Sequence, residues 1–444
     1  MPCRPLLIVL VVALAATQAA GAADSLPSEQ WARALGRIPV REAPDPGARR
    51  IGWLNEQTSF AWMAPAEGPG CEASQWVALV GGGFACLTDT EPTTTEPEPL
   101  PRLVTFDPPR PEEWESYLES LTWDRDPNTN EALLPYVYGK RWRRWDGIVY
   151  QSLEAWNAGA DPVGHLPSGG GRKSHFIAVV ETERGPVLVR PDGLVAPVDN
   201  THVYPVDRFG GRDLLEDPVT DGWLAGWVIA YDGADLLDGP DGAVGAHLDY
   251  HEALDVRDAG DGWWEVRAGL GPNRSGYLDD RDAMHHWVPR QAPVDVGPDA
   301  IWVDIDLDQQ VLAIRVGETL RFITLISGGR SGRTPTGLYR VLDKSIHDDM
   351  ASRSGADDSY HVEEVPWVVH FQYRYALHGT FWHWGFGHRA SHGCVNLSPR
   401  DAKWVFDAVH PVLPNGWHSV VARPADPGTI VRIRSGDEPV RDRR

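Results

Sequence analysis

Residues 376–406 read ALHGTFWHWGFGHRASHGCVNLSPRDAKWVF, and the chemistry available to this chain is concentrated there. Cys394 follows His392-Gly393, and a second histidine, His378, stands sixteen positions before the cysteine. Acyl transfer through sulfur requires a thiolate, a base that takes its proton, and donors for the oxyanion developing on the attacked carbonyl. An imidazole beside a thiol meets the first two needs near neutral pH. Gly393 permits a tight turn and leaves room for a bulky peptide carbonyl, so backbone N–H groups around Cys394 are the expected oxyanion donors. The end of the stretch reads as a helix start. Ser398 suits an N-cap, Pro399 the first helical position and Asp401 the first turn. Ala402, Val405, Phe406 and Val409 then recur at helical spacing on one apolar face. Cys394 is therefore predicted on a loop or strand end, just ahead of an amphipathic helix docked on a sheet.

Upstream, residues 301–329 (IWVDIDLDQQVLAIRVGETLRFITLISGG) alternate apolar and polar positions over two strands. Leu307 to Gln310 and Gly317-Glu318 supply turns, and Val311, Ile314, Phe322, Ile323 and Leu325 are suited to a sheet core. Residues 343–360 (DKSIHDDMASRSGADDSY) are polar and aperiodic, which predicts a mobile lid over the site.

Taken together, these segments resemble the L,D-transpeptidase catalytic domain, also called the YkuD-type domain, over roughly residues 300–434. The family shows a histidine, a spacer of about a dozen residues, then Ser/Thr-His-Gly-Cys, an apolar residue and Asn or Arg. Here twelve residues, 379 to 390, separate His378 from Ser391, and SHGCVN follows. VDIDLDQQVLAIRVGE is similar to the domain's opening hairpin, and SGGRSGRTPTGLYRV to its Thr-Pro-Thr-Gly strand entry. VEEVPWVVHFQYRYALHG resembles the approach to the histidine, and WHWGFG a subgroup with Trp-His and Phe-Gly there. The resemblance implies a mainly β domain with Cys394 as nucleophile and His378 as general base. His392 and Asn396 would shape the pocket, Ser391 and Gly393 would position the loop, and Gly379 would join them in the substrate-binding and oxyanion set. It implies no metal and no other cofactor. The implied partners are peptidoglycan stem peptides: the thiolate attacks the carbonyl of the third stem residue and expels the terminal D-alanine. A side-chain amine of a second stem then takes the acyl group, linking third residues. Sensitivity to β-lactams, mostly carbapenems, is also implied.

The rest of the chain reads as a multidomain, mainly β protein. Residues 1–22 have the form of a signal peptide: Arg4, an unbroken apolar run from Leu6 to Ala16, and Ala20-Gly21-Ala22 as cleavage site. A helix needs roughly 20 apolar residues to span a bilayer, and no later stretch approaches that. The expected product is exported, in periplasm or cell wall, without a transmembrane segment. In that oxidising compartment Cys71 and Cys86, within one small β-rich segment, are expected to pair, leaving Cys394 as a free thiol. Residues 37–89 resemble a small bacterial Src-homology-3-like barrel, and 90–101 (TEPTTTEPEPLP) has linker composition. Residues 102–225 read as an intermediate domain of unknown role, with a helix from Glu112 to Leu121 and a hairpin turning at Arg184-Gly185. Residues 226–289 loosely repeat the barrel pattern, Trp263-Trp264-Glu265-Val266 paralleling Trp76-Val77, and suggest a second such barrel.

Composition narrows the function. The 444 residues carry a formal net charge of −22, which disfavours nucleic acid or anionic lipid as main partner. The twenty Trp serve equally as core filler and as sugar-stacking platforms. Four histidines (378, 383, 388 and 392) near Cys394 raise the question of zinc, but their Gly-rich spacing lacks the helical His-x-x-x-His or carboxylate pattern of zinc hydrolases. His383 and His388 read as lining or packing residues; His247, His251, His361 and His370 read as structural. The residues leave the acyl acceptor open between a stem amine, water (an L,D-carboxypeptidase) and a lysine of an outer-membrane protein. A wall-binding scaffold with a decayed catalytic domain is the non-enzymatic alternative. Oligomeric state is open as well.

Overall fold

A computed structural model describes residues 30–71, 74–97, 133–143, 145–169, 171–207, 209–219, 222–269, 274–279, 283–352 and 359–436. The segment read as a signal peptide and the helix expected over 112–121 lie outside these residues. The described chain is mainly β, in several modules, and the C-terminal one is a sandwich of two sheets.

One sheet of the sandwich is formed by Ile301–Asp306, Val311–Val316, Thr319–Leu325, Gly337–Arg340 and Ile430–Arg434. The opening segment thus makes three antiparallel strands where two were expected, with turns at both anticipated places. The other sheet is formed by Asp343–Ala351, His361–Gln372, Tyr375–Gly379, Val395–Leu397 and Trp417–Val421. Between them Val303, Ile305, Ile314, Val369, Phe371, Leu377 and Val395 form a core closed by Ala402, Val405 and Phe406 of the Pro399–Ala408 helix. That helix begins as its sequence dictates: Ser398 Oγ accepts from the Asp401 N–H at 3.2 Å, and Pro399 follows the cap. At its other end the buried Lys344 ammonium donates to the carbonyls of Phe406 (2.6 Å) and Val409 (2.8 Å). A cation there satisfies acceptors that no further helical turn reaches.

Three other modules pack on this sandwich. Residues 31–92 continue the second sheet, because Gly52, Trp53 and Leu54 pair with Val420, Ser419 and Trp417. Gly52 makes this close approach possible: a Cβ there would lie 2.4 Å from the Ser419 carbonyl oxygen. Cys71 and Cys86 are joined in this module, Cα atoms 5.8 Å apart. Its strands begin at Trp31 and end with Thr90–Pro92, so three residues of the expected linker belong to the sheet. Pro92 is tolerated there because its strand lies at the sheet edge.

Residues 133–207 lie against the long hairpin of the second sheet. Leu134, Tyr138 and Tyr204 share a core with Val362, Val365, Val368, Ala376 and Phe381, and the Trp367 indole donates to the Leu133 carbonyl at 2.7 Å. The expected turn at Arg184-Gly185 joins Ala178–Val180 to Val187–Val189. Arg212–Asp213, also in the expected intermediate domain, instead pairs with Phe322 and Ile323 in the first sheet. Strands from Leu224 to His286 form a seven-stranded antiparallel sheet, which contributes Ala225, Trp227 and Ile229 to a core with Val311, Ala313, Ile323 and Leu325.

The segment 343–360, expected as a lid, starts as regular structure, and its residues 353–358 lie outside the described residues. Asp343–Ala351 is a strand paired along His361–Gln372, one arm of a long antiparallel hairpin. Its polar residues are spent on partners: His347 bonds Glu364 through Nδ1 and lies 3.0 Å from the Tyr136 hydroxyl through Nε2.

Candidate active site

The site is built on one strand pair. Tyr375–Gly379 runs parallel to Val395–Leu397, with Leu377 opposite Val395 and His378 opposite Asn396. Successive side chains on a strand point to opposite faces. Leu377, Val395 and Leu397 accordingly enter the sandwich core, while His378 and Asn396 turn the other way. Cys394, one residue before its strand, takes the face of Asn396. His378, Cys394 and Asn396 then share the wall of a cavity of about 290 Å³ with Ser391, His392, Trp382 and His383.

His378 is buried, and its Nδ1 donates to the Gly379 carbonyl at 3.0 Å. That bond places the proton on Nδ1 and leaves Nε2 as the basic nitrogen. Burial lowers its pKa to about 4, so the ring is neutral at physiological pH. Gly379 meets His378 through its carbonyl and is not among the residues lining the cavity.

The half-buried Cys394 is the free thiol among the described residues. Its Sγ lies 3.8 Å from the Arg374 carbonyl. Burial raises its pKa, opposed by a hydrogen bond from the Ala376 backbone. The resting site thus holds a neutral thiol and a neutral imidazole, without an ion pair.

The loop ahead of Cys394 is held from two sides. Ser391 Oγ accepts from the Gly393 N–H at 3.0 Å and donates to the Cys394 carbonyl. Thr334, in the Thr-Pro-Thr-Gly segment, donates to the Gly393 carbonyl at 2.9 Å, and Arg330 N–H donates to the Ser391 carbonyl at 3.1 Å. Gly393 has φ +140°, and a Cβ there would sit 2.6 Å from the Tyr375 ring. Glycine is required by space and by conformation together. The Gly393 N–H is thereby already bonded to Ser391 Oγ. His392 is exposed, its ring 4.9 Å from that of Tyr360.

The two histidines read as lining or packing residues separate in the structure. His383 lines the cavity, its Nε2 2.9 Å from the Asn396 amide. Gly385 N–H donates to Nδ1 at 3.2 Å, so Nε2 carries the proton. Burial lowers the His383 pKa to about 4, in keeping with this neutral form. His388 instead packs away from the site, 2.8 Å from the Ile229 carbonyl and stacked on Tyr231. Among the described residues no group of three or more His, Cys, Asp or Glu side chains is arranged to hold a metal ion.

The remaining wall comes from Lys173, Arg330, Met350, Tyr360, Val362, Arg374 and Ala390; Met350 and Tyr360 belong to the 343–360 segment expected over the site, and Lys173 alone lies outside the segments singled out in the sequence. Lys173 belongs to the 133–207 module, 205 positions from His378, and only tertiary packing brings it here. Trp382, inside the quoted stretch, stands with its ring 5.8 Å from that of His378.

A free thiol, a buried neutral imidazole and a held loop thus meet at one cavity on a β-sandwich. Residues 298–433 match the family model of YkuD, the L,D-transpeptidase catalytic domain. L,D-transpeptidase 1 of Mycobacterium tuberculosis (strain ATCC 25618 / H37Rv) is 33% identical over 107 residues, covering 21% of this chain and 41% of that protein. L,D-transpeptidase 2 of Mycobacterium tuberculosis (strain CDC 1551 / Oshkosh) is 30% identical over 120 residues, covering 25% of this chain and 29% of that protein. The match thus spans less than half the length of these curated relatives. Among solved structures, an L,D-transpeptidase from Mycobacterium smegmatis aligns over 39% of this chain and 66% of its own, at 20% identity and a TM-score of 0.26. No helix among the described residues is long and apolar enough to cross a membrane.

Proposed function

We propose that this protein is a peptidoglycan L,D-transpeptidase, acting outside the cytoplasmic membrane, that links third residues of stem peptides through a thioester on Cys394. The observation that carries this reading is the common face of His378, Cys394 and Asn396 on one parallel strand pair. Nε2 of His378 takes the Sγ proton as sulfur attacks the carbonyl of the third stem residue. With the Gly393 N–H committed to Ser391, the N–H of Cys394 itself serves as a donor for the oxyanion. Collapse breaks the peptide bond; the imidazolium returns its proton to the leaving amine, and D-alanine departs. His378 then takes a proton from the incoming side-chain amine, which attacks the thioester and restores the thiol. Release of D-alanine reports the first half of this cycle and crosslinked dimer the second. The 37–89 and 226–289 segments are read as Src-homology-3-like barrels that position the enzyme on the wall.

Incubation with a carbapenem followed by intact-mass analysis tests the reading. A single covalent adduct on the wild type, and none on Cys394→Ala, is expected. Muropeptide analysis with a disaccharide-tetrapeptide donor should then give crosslinked dimer. Loss of D-alanine without dimer would make the enzyme a carboxypeptidase, and absence of both adduct and product would leave the scaffold.

A further inference from the structure

The cavity around Cys394 has a charge pattern unlike the rest of the chain. Its wall carries Lys173, Arg330 and Arg374 and no aspartate or glutamate, in a protein of net charge −22. A cleft lined by one sign of charge concentrates ligands of the other. Arg330 and Arg374 stand on exposed turns of the catalytic domain, whereas Lys173 comes from the 133–207 module and is half-buried.

Its placement is built, not incidental. The Lys173 N–H donates to the His361 carbonyl at 3.0 Å and its own carbonyl accepts from Glu363 N–H at 3.1 Å, docking this residue on the edge of the long hairpin. Next to it, His175 bonds the Glu363 carboxylate through its backbone N–H (3.1 Å) and Nδ1 (3.0 Å), and Arg190 pairs with the same carboxylate at 3.6 Å. The Lys173 ammonium donates to the Gly171 carbonyl at 2.8 Å and lies 5.1 Å from the centre of the Trp382 ring, which faces His378. An ammonium has three protons, so donors remain for a ligand. Burial, with Lys140 as a secondary cause, lowers its pKa to about 8, the direction an approaching anion would reverse.

We propose that Lys173 is a specificity-determining residue that binds a carboxylate of the donor stem peptide beside the scissile bond, so that the 133–207 module completes the active site. This rests on the transpeptidase reading above. The carboxylate has two sources of the same chemistry: the C-terminus of the departing D-alanine, or the side chain of the third-residue diamino acid.

Steady-state kinetics with the full chain separates them. Three donors are compared: the free-acid tetrapeptide, its C-terminal carboxamide, and the peptide amidated at the third-residue side chain. Lys173→Ala should raise KM for the free acid about tenfold or more while kcat changes less, as expected for loss of a charge-assisted contact. Lys173→Arg should retain most of the affinity, and Lys173→Gln should behave as the alanine variant. For one of the two amidated donors the wild type and Lys173→Ala should become equal, which identifies the carboxylate. An unchanged KM in Lys173→Ala, or an equal loss for all three donors, overturns the inference. Unfolding midpoints of the variants within a few degrees of wild type keep the comparison valid, and Lys173→Gln replaces any variant that falls outside. No product from the wild type on the free-acid donor would instead sink the transpeptidase reading itself.

Discussion

His378 and Asn396 stand directly opposite each other on parallel neighbouring strands, and this register sets the position of the thiol. Two residues before Asn396, Cys394 projects to the same face, so the Cys394 thiol and the His378 imidazole reach one cavity. A one-residue slip of either strand would turn its functional side chain into the sandwich core. The register is itself held by a second bridge, in which Ser327 and Asn396 exchange backbone hydrogen bonds at 2.9 and 3.0 Å.

The thiol of Cys394 is pushed up by burial and His378 is held near 4, so little thiolate forms before substrate arrives. The rate of Cys394 alkylation by iodoacetamide should therefore climb with pH through the alkaline range. A rate that levels off below pH 7 would reveal a preformed thiolate–imidazolium pair and contradict this description.

Acid should destabilise the fold. His378 and His418 are both buried with pKa values lowered by desolvation, and the half-buried His383, His251 and His285 are lowered by the same cause. A histidine whose folded pKa lies below its unfolded value binds more protons when unfolded, so its contribution is present above pH ~6.5 and lost as pH falls towards ~4. For His378 the loss is on the order of 3 kcal/mol. Asp401, raised by burial to about 6, and His370, also raised, act in the opposite direction but are outnumbered. The unfolding midpoint should drop between pH 6.5 and 4.5; a flat or rising midpoint would show that these rings are solvated.

Gly393→Ala places a Cβ against Tyr375 at a backbone conformation that alanine resists. Local strain of about 1–3 kcal/mol is expected. Displacing Sγ by as little as an ångström should cost about a hundredfold in kcat. Donor turnover and thermal unfolding check this, and an alanine variant of wild-type activity would mean the loop is not held as described.

Much of the catalytic domain was legible because its signals are local. The cap, proline and apolar face from Ser398 to Phe406 specify a helix through adjacent residues alone, and it forms as read. The alternation in 301–316 gives the strands but misleads about their outer face. Asp304 and Asp306, at polar positions suited to solvent, are buried and neutralised by Arg432 and Arg434, which also hold the carbonyls of Gln291 and Val288. The preceding segment covers that face, and no periodicity in the strand announces a cover supplied from elsewhere. From Asp343 to Ala351 the strand is hidden for a similar reason: residues that look solvated find their partners in Glu364, His370 and Tyr136. At the site itself, SHGC and its distant histidine are visible in sequence, whereas Lys173 lies in GGGRKSH without any mark of function. Its position depends on docking to His361 and Glu363, an outcome of tertiary packing alone.

The most direct test is rapid-quench mass spectrometry with a tetrapeptide donor, comparing wild type with Cys394→Ala and His378→Gln. The wild type should gain the mass of the donor less D-alanine, mapped to Cys394 and discharged on addition of an amine acceptor. Cys394→Ala should gain nothing, and His378→Gln should acylate about 10²–10⁴-fold more slowly. An acyl group on another residue, or full turnover by Cys394→Ala, would contradict the account.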